Sequence, residues 1–147
     1  MQIITGDIWD ELGKADLILI PTNSTLSPRG ELVMGAGVAK QAKEHFPMAP
    51  YWFGRKINAR RDYGIVTYPE SWKWFSFWLG AFQTKYNWRN PSPLELIERS
   101  TKKLDAKASL FDRIAMPMPG TGLGGLTESD VLPILEKLPD NVFIYKK

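Results

Sequence analysis

Segments with strand character alternate with segments of helical periodicity along this chain of 147 residues, and two glycine-rich loops each lead from a strand into a helix. That alternation predicts an α/β sandwich with a largely parallel sheet, because parallel strands need crossover connections that are usually helical. A third observation agrees with it. Apart from Asp16, Ala15–Ile20 is an apolar run closed by Pro21, the pattern of a strand buried on both faces.

The elements follow in order. Met1-Gln2-Ile3-Ile4 is strand-like and opens the chain. After the Ala15–Ile20 strand, Val38, Ala39, Ala42 and Phe46 recur at helical spacing until Pro47 stops the helix. Gly64–Tyr68 and Lys73–Leu79 read as strands, rich in aromatic and β-branched residues. Ser92-Pro93-Leu94-Glu95 supplies an N-cap, a proline at the first helical position and a glutamate three residues after the cap. Leu94, Ile97, Thr101 and Leu104 then form one helical face. Arg113–Met116 is a short strand ended by Pro117, and Thr127-Glu128-Ser129-Asp130 opens a helix with Val131, Ile134, Leu135 and Leu138 on its apolar side. Pro133 within that helix removes a backbone hydrogen bond and predicts a kink. Asn141–Tyr145 closes the chain as a strand. No repeat, linker or low-complexity tract interrupts the series, so residues 1–147 read as a single domain.

Composition narrows the chemistry. Hydrophobic residues at 44% and charged residues at 24% give an ordinary globular balance. There is no cysteine, which excludes a disulfide scaffold, a zinc-thiolate site and cysteine nucleophile chemistry. His45 is the single histidine, so an imidazole-rich metal centre lacks ligands. No metal and no cofactor is implied. No apolar run approaches a bilayer span and no signal peptide is visible, so the expected location is the cytoplasm, without membrane contact. The net charge of +3 and pI near 9.1 mildly favour a polyanionic partner.

Ligands of open α/β sheets sit beyond the C-terminal strand ends. The loop Met34-Gly35-Ala36-Gly37-Val38-Ala39 and the loop Pro119-Gly120-Thr121-Gly122-Leu123-Gly124-Gly125 both have that placement. Glycines let backbone N–H groups approach an anion, and a helix N-terminus adds partial positive charge. Two such loops at equivalent strand ends suit a pyrophosphate; each alone reads equally as a tight turn. Neither matches the P-loop or the dinucleotide-binding pattern, which argues against an NTPase and a Rossmann dehydrogenase.

Gly6-Asp7-Ile8, Pro21-Thr22-Asn23, Gly35-Ala36-Gly37-Val38-Ala39 and the Gly120–Gly125 loop stand in the order seen in macro domains, the ADP-ribose-binding fold, and the chain resembles that family over its whole length. Phe82-Gln83-Thr84-Lys85-Tyr86-Asn87-Trp88-Arg89, followed by Ser92 and Leu94-Glu95, is similar to a segment of the DarG-type antitoxin macro domains. Those antitoxins reverse DNA ADP-ribosylation by a partner toxin. Thr84-Lys85 also resembles a motif of the related terminal ADP-ribose glycohydrolase. The resemblance implies a three-layer α/β/α sandwich with a mixed, largely parallel sheet, and an ADP-ribosyl hydrolase of modified nucleic acid or protein. It places Asp7 and Ile8 at adenine, Gly35, Ala36, Gly37 and Val38 around the distal ribose and diphosphate, and Gly120, Thr121, Gly122, Leu123 and Gly124 at the phosphates. It assigns Lys85 as the nucleophile at the anomeric carbon. The partners implied are ADP-ribose or an ADP-ribosylated macromolecule, a transient DNA contact and a cognate ADP-ribosylating toxin.

Plain structural roles compete at several of these positions. A lysine becomes a useful nucleophile only when desolvation or a neighbouring cation lowers its pKa. Lys85 has Phe82, Tyr86, Trp88 and Arg89 nearby in sequence, yet most lysines are simply solvated. Asn23 is either a ribose ligand or a turn residue, and Asp7 either reads adenine as a buried carboxylate or closes an Asx-turn. His45 suits a helix end. The Trp72–Trp78 cluster reads first as sheet core, and any outward ring would be able to stack a base.

The chain also departs from its relatives. The Ser24–Leu32 loop is long for the branch, Thr127-Glu128 follows Gly125-Leu126 where the antitoxins have Asp-Trp, and Gly124 stands where the glycohydrolase has a carboxylate. Glu31, Glu128 and Asp130 are the candidates for an acid–base partner of Lys85. The antitoxins carry a further C-terminal domain, and no toxin-neutralising module is expected beside this fold. Two other functions compete with hydrolysis: a non-catalytic ADP-ribose-binding module, which the missing carboxylate favours, and a phosphatase for ADP-ribose phosphate monoesters.

Overall fold

The computed structural model describes residues 1–60 and 62–147. Six strands form one sheet: β1 (Gln2–Thr5), β2 (Leu17–Thr22), β3 (Ile65–Trp72), β4 (Phe75–Gln83), β5 (Ile114–Pro117) and β6 (Val142–Lys146). Their spatial order is β1-β6-β5-β2-β4-β3. All neighbours run parallel except β3 and β4, which pair as an antiparallel hairpin at one edge. The sheet is therefore mixed and largely parallel.

Helices cover both faces. Ile18 and Ile20 of β2 point toward α1 (Gly37–His45) and α2 (Ala49–Ala59), packing with Ala42, Phe46, Ala49 and Phe53. Leu17 and Leu19 point the other way, toward Ile97 and Leu104 of α3 (Leu94–Lys107) and Val131 and Leu135 of α4 (Glu128–Leu135). The two-residue period of a strand thus divides one apolar run between two cores. The result is a three-layer α/β/α sandwich. Among the described residues no helix is long and apolar enough to cross a membrane.

Several elements differ from their sequence patterns. Helix α2 carries no clear helical signal in the sequence, and the β3–β4 strands run longer than expected. Lys73, placed in a strand by its neighbours, occupies the hairpin turn with φ of 55°. Pro93, not Ser92, caps α3, and it does so without a side-chain hydrogen bond. Leu94 is half exposed, so the buried face of α3 is Leu96, Ile97, Ser100, Thr101 and Leu104. The Trp72–Trp78 cluster is not all core: Phe77 is buried, whereas Trp74 is 98% exposed at the turn and Trp78 is 43% exposed. Thr127 and Asp130 cap α4 reciprocally in a capping box, and the helix runs on past Pro133 to Leu135. His45 ends α1 and packs its ring against Trp9.

A buried ion pair ties the first crossover to the sheet. Glu11, in a 3₁₀ turn at Ile8–Glu11, has no exposure and accepts from Arg113 Nε at 2.6 Å, Arg113 Nη2 at 2.9 Å and the Tyr145 hydroxyl. The Arg113 guanidinium lies 3.8 Å over the Phe143 ring. Burial acts to raise the Glu11 carboxyl, but the hydrogen bonds from Arg113 and Tyr145 and the Arg113 charge outweigh it and hold Glu11 below the ordinary glutamate value.

Candidate functional site

Because β1, β6, β5, β2 and β4 run parallel, their C-terminal ends meet at one edge of the sheet. The segments leaving those ends enclose a cavity of about 710 Å³, within the range of ligand pockets. Asp7 and Ile8 line it from the end of β1, Asn23 from β2, Lys85 from β4, and both glycine loops from above. Each of Gly35, Ala36, Gly37 and Val38, and each of Gly120, Thr121, Gly122, Leu123 and Gly124, is among the lining residues. Residues spread from position 7 to position 124 thus share one crevice.

Local geometry shapes each wall. The first loop enters α1 through Gly37 at φ of 57°, a left-handed conformation that a side chain resists. In the second loop a Cβ on Gly124 would lie 2.4 Å from both the Gly120 carbonyl oxygen and Ser92 Oγ. Only glycine fits where the loop folds back on itself. A Cβ on Gly122 would meet no protein atom within 4 Å and would face open space.

Lys85 is positioned through its backbone. Gln83 Oε1 accepts the Gly64 N–H at 2.7 Å, and Gln83 Nε2 donates to Ser24 Oγ at 2.9 Å. Ser24 Oγ donates onward to the Lys85 carbonyl at 2.7 Å. Thr84 donates both its N–H, at 2.8 Å, and its hydroxyl, at 3.1 Å, to the Thr22 carbonyl. Trp88 N–H donates to Thr25 Oγ1 at 3.0 Å. The Lys85 segment is thereby stitched to the loop after β2, while among the described residues Lys85 Nζ makes only a long contact, 3.5 Å, with the Trp88 carbonyl. Lys85 as a whole is half buried and lines the cavity.

Three structural roles stand beside the sequence expectations. Asp7 is exposed instead of buried, and its Oδ1 accepts the Trp9 N–H at 2.9 Å, so the Asx-type turn is real even though the residue faces the cavity. Asn23 uses both ends of its amide within the loop, donating to the Val33 carbonyl and accepting from the Thr25 N–H. The long Ser24–Leu32 loop folds as a narrow hairpin bridged between Leu26 and Leu32, and Leu32 N–H donates to the Pro50 carbonyl of α2 at 2.9 Å.

The acid–base candidates do not converge on Lys85. Glu31 is not among the cavity residues, and Asp130 is spent on the capping box. Glu128 lines the cavity but pairs with Lys146 at 3.6 Å. Lys146 belongs to β6, three strands from β4, or roughly 14 Å at ~4.8 Å per strand. Asp7 lies farther still, after β1. Trp88, part of the Phe82–Arg89 segment singled out in the sequence, lines the cavity as well. Lys146, Lys147 and Gln41 also line it and carry no sequence signal of their own; the proximity of β1 and β6 at the sheet edge is what brings the two lysines in.

No protein-family model and no curated protein matches the sequence. Solved structures do. DarTG of Thermosipho africanus, solved in complex with ADP-ribose, superposes with a TM-score of 0.80 at 25% identity, covering 99% of this chain and 41% of that one. The DarG macrodomain of Thermus aquaticus gives 0.78 at 26% identity, covering 99% of this chain and 97% of that one. The chain folds as a macro domain. The Mycobacterium tuberculosis DarG macrodomain agrees, with a TM-score of 0.79 at 24% identity over 99% of this macro domain and 97% of its counterpart. This macro domain spans well under half of the Thermosipho DarTG chain.

Proposed function

We propose that this macro domain is an ADP-ribosyl hydrolase that removes ADP-ribose from a modified nucleic acid, with Lys85 as nucleophile. One observation carries the reading: the two glycine loops and Lys85 line the same cavity, although they lie far apart in sequence. The loops supply backbone N–H groups for a diphosphate, and Lys85 enters from the neighbouring strand end. The Thermosipho relative was solved with ADP-ribose, a ligand whose diphosphate suits both loops.

In this reading the neutral Lys85 amine donates its electron pair to the anomeric carbon of the distal ribose. The bond to the modified group breaks with its electrons, and that group leaves with a proton. The lysyl nitrogen keeps its positive charge, which makes it the leaving group of the next step. Water then attacks the same carbon, and Lys85 departs as an amine with free ADP-ribose as product. The lining carboxylates Asp7 and Glu128 sit at the β1–β6 end, so the protons move through water rather than through either of them. An ADP-ribosylating toxin is the partner that would generate the substrate.

That distance favours a second reading, a non-catalytic ADP-ribose-binding module. Incubation with ADP-ribosylated thymidine DNA and with ADP-ribosylated peptides separates the two. Release of free ADP-ribose from the DNA is the expected result, and intact substrates in the presence of normal ADP-ribose binding would leave only the binding module. Gly122→Val adds a control. Its side chain meets open space within the protein, so the melting temperature should stay close to wild type while the stabilisation by ADP-ribose disappears. A normal ligand-induced shift in this variant would mean that the loop holds no phosphate.

A further inference from the structure

Beside the mouth of the cavity lies a surface that the hydrolase reading does not use. Trp88 and Arg89 project from a turn closed by Asn87, whose Oδ1 accepts the Arg89 N–H at 3.0 Å and whose carbonyl accepts the Asn90 N–H. The Trp88 ring is 49% exposed, and the Arg89 guanidinium stacks 5.1 Å from its centroid. Two residues before Trp88, Tyr86 packs edge to face on Tyr63 at 4.6 Å, and each is more than a third exposed. Trp88 lines the cavity, whereas Tyr86 and Tyr63 stand outside its lining.

Cations flank this aromatic row. Arg99 acts on the Tyr86 phenol, which burial and the Glu95 carboxylate push upward and the Arg99 charge draws back. The Lys103 stem covers Gly64, beside Tyr63. Arg99, Lys103 and Lys107 recur every four residues along α3, so they share one face of that helix with Glu95. The carboxylates in contact with the row are already engaged: Asp62 by Lys103, and Glu95 by the Tyr86 hydroxyl at 3.3 Å.

We infer that Trp88, Tyr86 and Tyr63 form a stacking platform for a single nucleic-acid strand, whose phosphates run along Arg89, Arg99 and Lys107 and whose modified nucleotide enters the cavity at Lys85. Aromatic faces accept any base, and cations along the row follow the backbone, which is the combination that binds single strands without reading sequence. A duplex hides its base faces and cannot use the platform. The surface is continuous with the cavity because Trp88 belongs to both. The direction of entry rests on the hydrolase reading; affinity for an unmodified strand does not.

The test is fluorescence anisotropy with a short labelled oligothymidylate at low salt, and with its duplex. The wild-type protein should bind the single strand and bind the duplex about tenfold more weakly. Tyr86→Ala or Tyr63→Ala should weaken the single strand roughly tenfold. Arg99→Gln and Lys107→Gln should each reduce the salt slope by about 0.7. All four positions lie outside the cavity lining, so calorimetry with ADP-ribose should be unchanged and serves as the folding control. No binding of the oligothymidylate, equal binding of duplex, or unaltered binding by all four variants overturns the platform. Loss of ADP-ribose binding by the wild type would instead overturn the hydrolase reading and leave the strand affinity standing.

Discussion

Lys85→Ala is expected to abolish release of ADP-ribose from modified DNA, a loss of at least about a thousandfold or ~4 kcal/mol of barrier. Affinity for ADP-ribose should remain within a few fold of wild type. The two outcomes differ because the amine acts at the anomeric carbon as the bond breaks, whereas the bound state draws on the glycine loops. The fold should tolerate the change. The Lys85 backbone is held by Ser24 Oγ, and the neighbouring Thr84 is held by the Thr22 carbonyl. Among the described residues, the hydrogen bond of the lysine side chain is the long one to the Trp88 carbonyl. Arginine should not restore activity, since a guanidinium stays protonated. A Lys85→Ala protein that hydrolyses at the wild-type rate would remove lysine catalysis and pass the nucleophile's role to a bound water.

Glu11→Ala is expected to destabilise the protein by about 3 kcal/mol, the lower end for removing one partner of a buried ion pair. Arg113 keeps partial solvent access, which softens the loss, while the Tyr145 hydroxyl is left without its acceptor. A fall of about 10 °C in the melting temperature follows for a domain of this size. The effect depends on pH with a definite sign. Glu11 is held below its ordinary value of 4.5 in the folded state, so its contribution is fully present above about pH 4.5 and is lost as pH falls through the lower folded value. The gap between wild type and Glu11→Ala should therefore narrow in acid. Melting curves that coincide at neutral pH, or a gap that widens on acidification, would contradict this account of the pair.

The fold was legible where local pattern and tertiary position coincide. The Leu17–Ile20 stretch marked β2 because four consecutive apolar residues before a proline suit a strand buried on both faces. Helix α2 was not legible: Pro50 lies in its first turn, Gly54 in its middle, and Tyr51, Trp52 and Phe53 favour strands locally. Its helical state comes from seating Ala49, Pro50 and Phe53 against the sheet. The Trp72–Trp78 stretch misled in the opposite sense, since aromatic content does not reveal that Trp74 sits at the tip of a hairpin.

The site divides in the same way. Glycine loops and the Thr84-Lys85 motif announce themselves because their chemistry depends on residue type. The Gln83–Ser24–Lys85 chain of hydrogen bonds does not, because it depends on β2 and β4 being neighbours. Nor does the separation of Glu128 from Lys85, which follows from strand order alone. Of the acidic candidates only Glu128 reaches the cavity, and its pairing with Lys146 keeps it on the β6 side, away from Lys85.

The central claim, that this cavity holds ADP-ribose through both glycine loops, meets its most direct test in calorimetric titration with ADP-ribose and with adenosine. Adenosine shares the base and the proximal ribose but lacks the diphosphate. ADP-ribose should bind in the micromolar range and adenosine far more weakly, because only the first engages the N–H groups of the Gly35–Val38 and Gly120–Gly124 loops. Comparable affinities for the two ligands would contradict the claim.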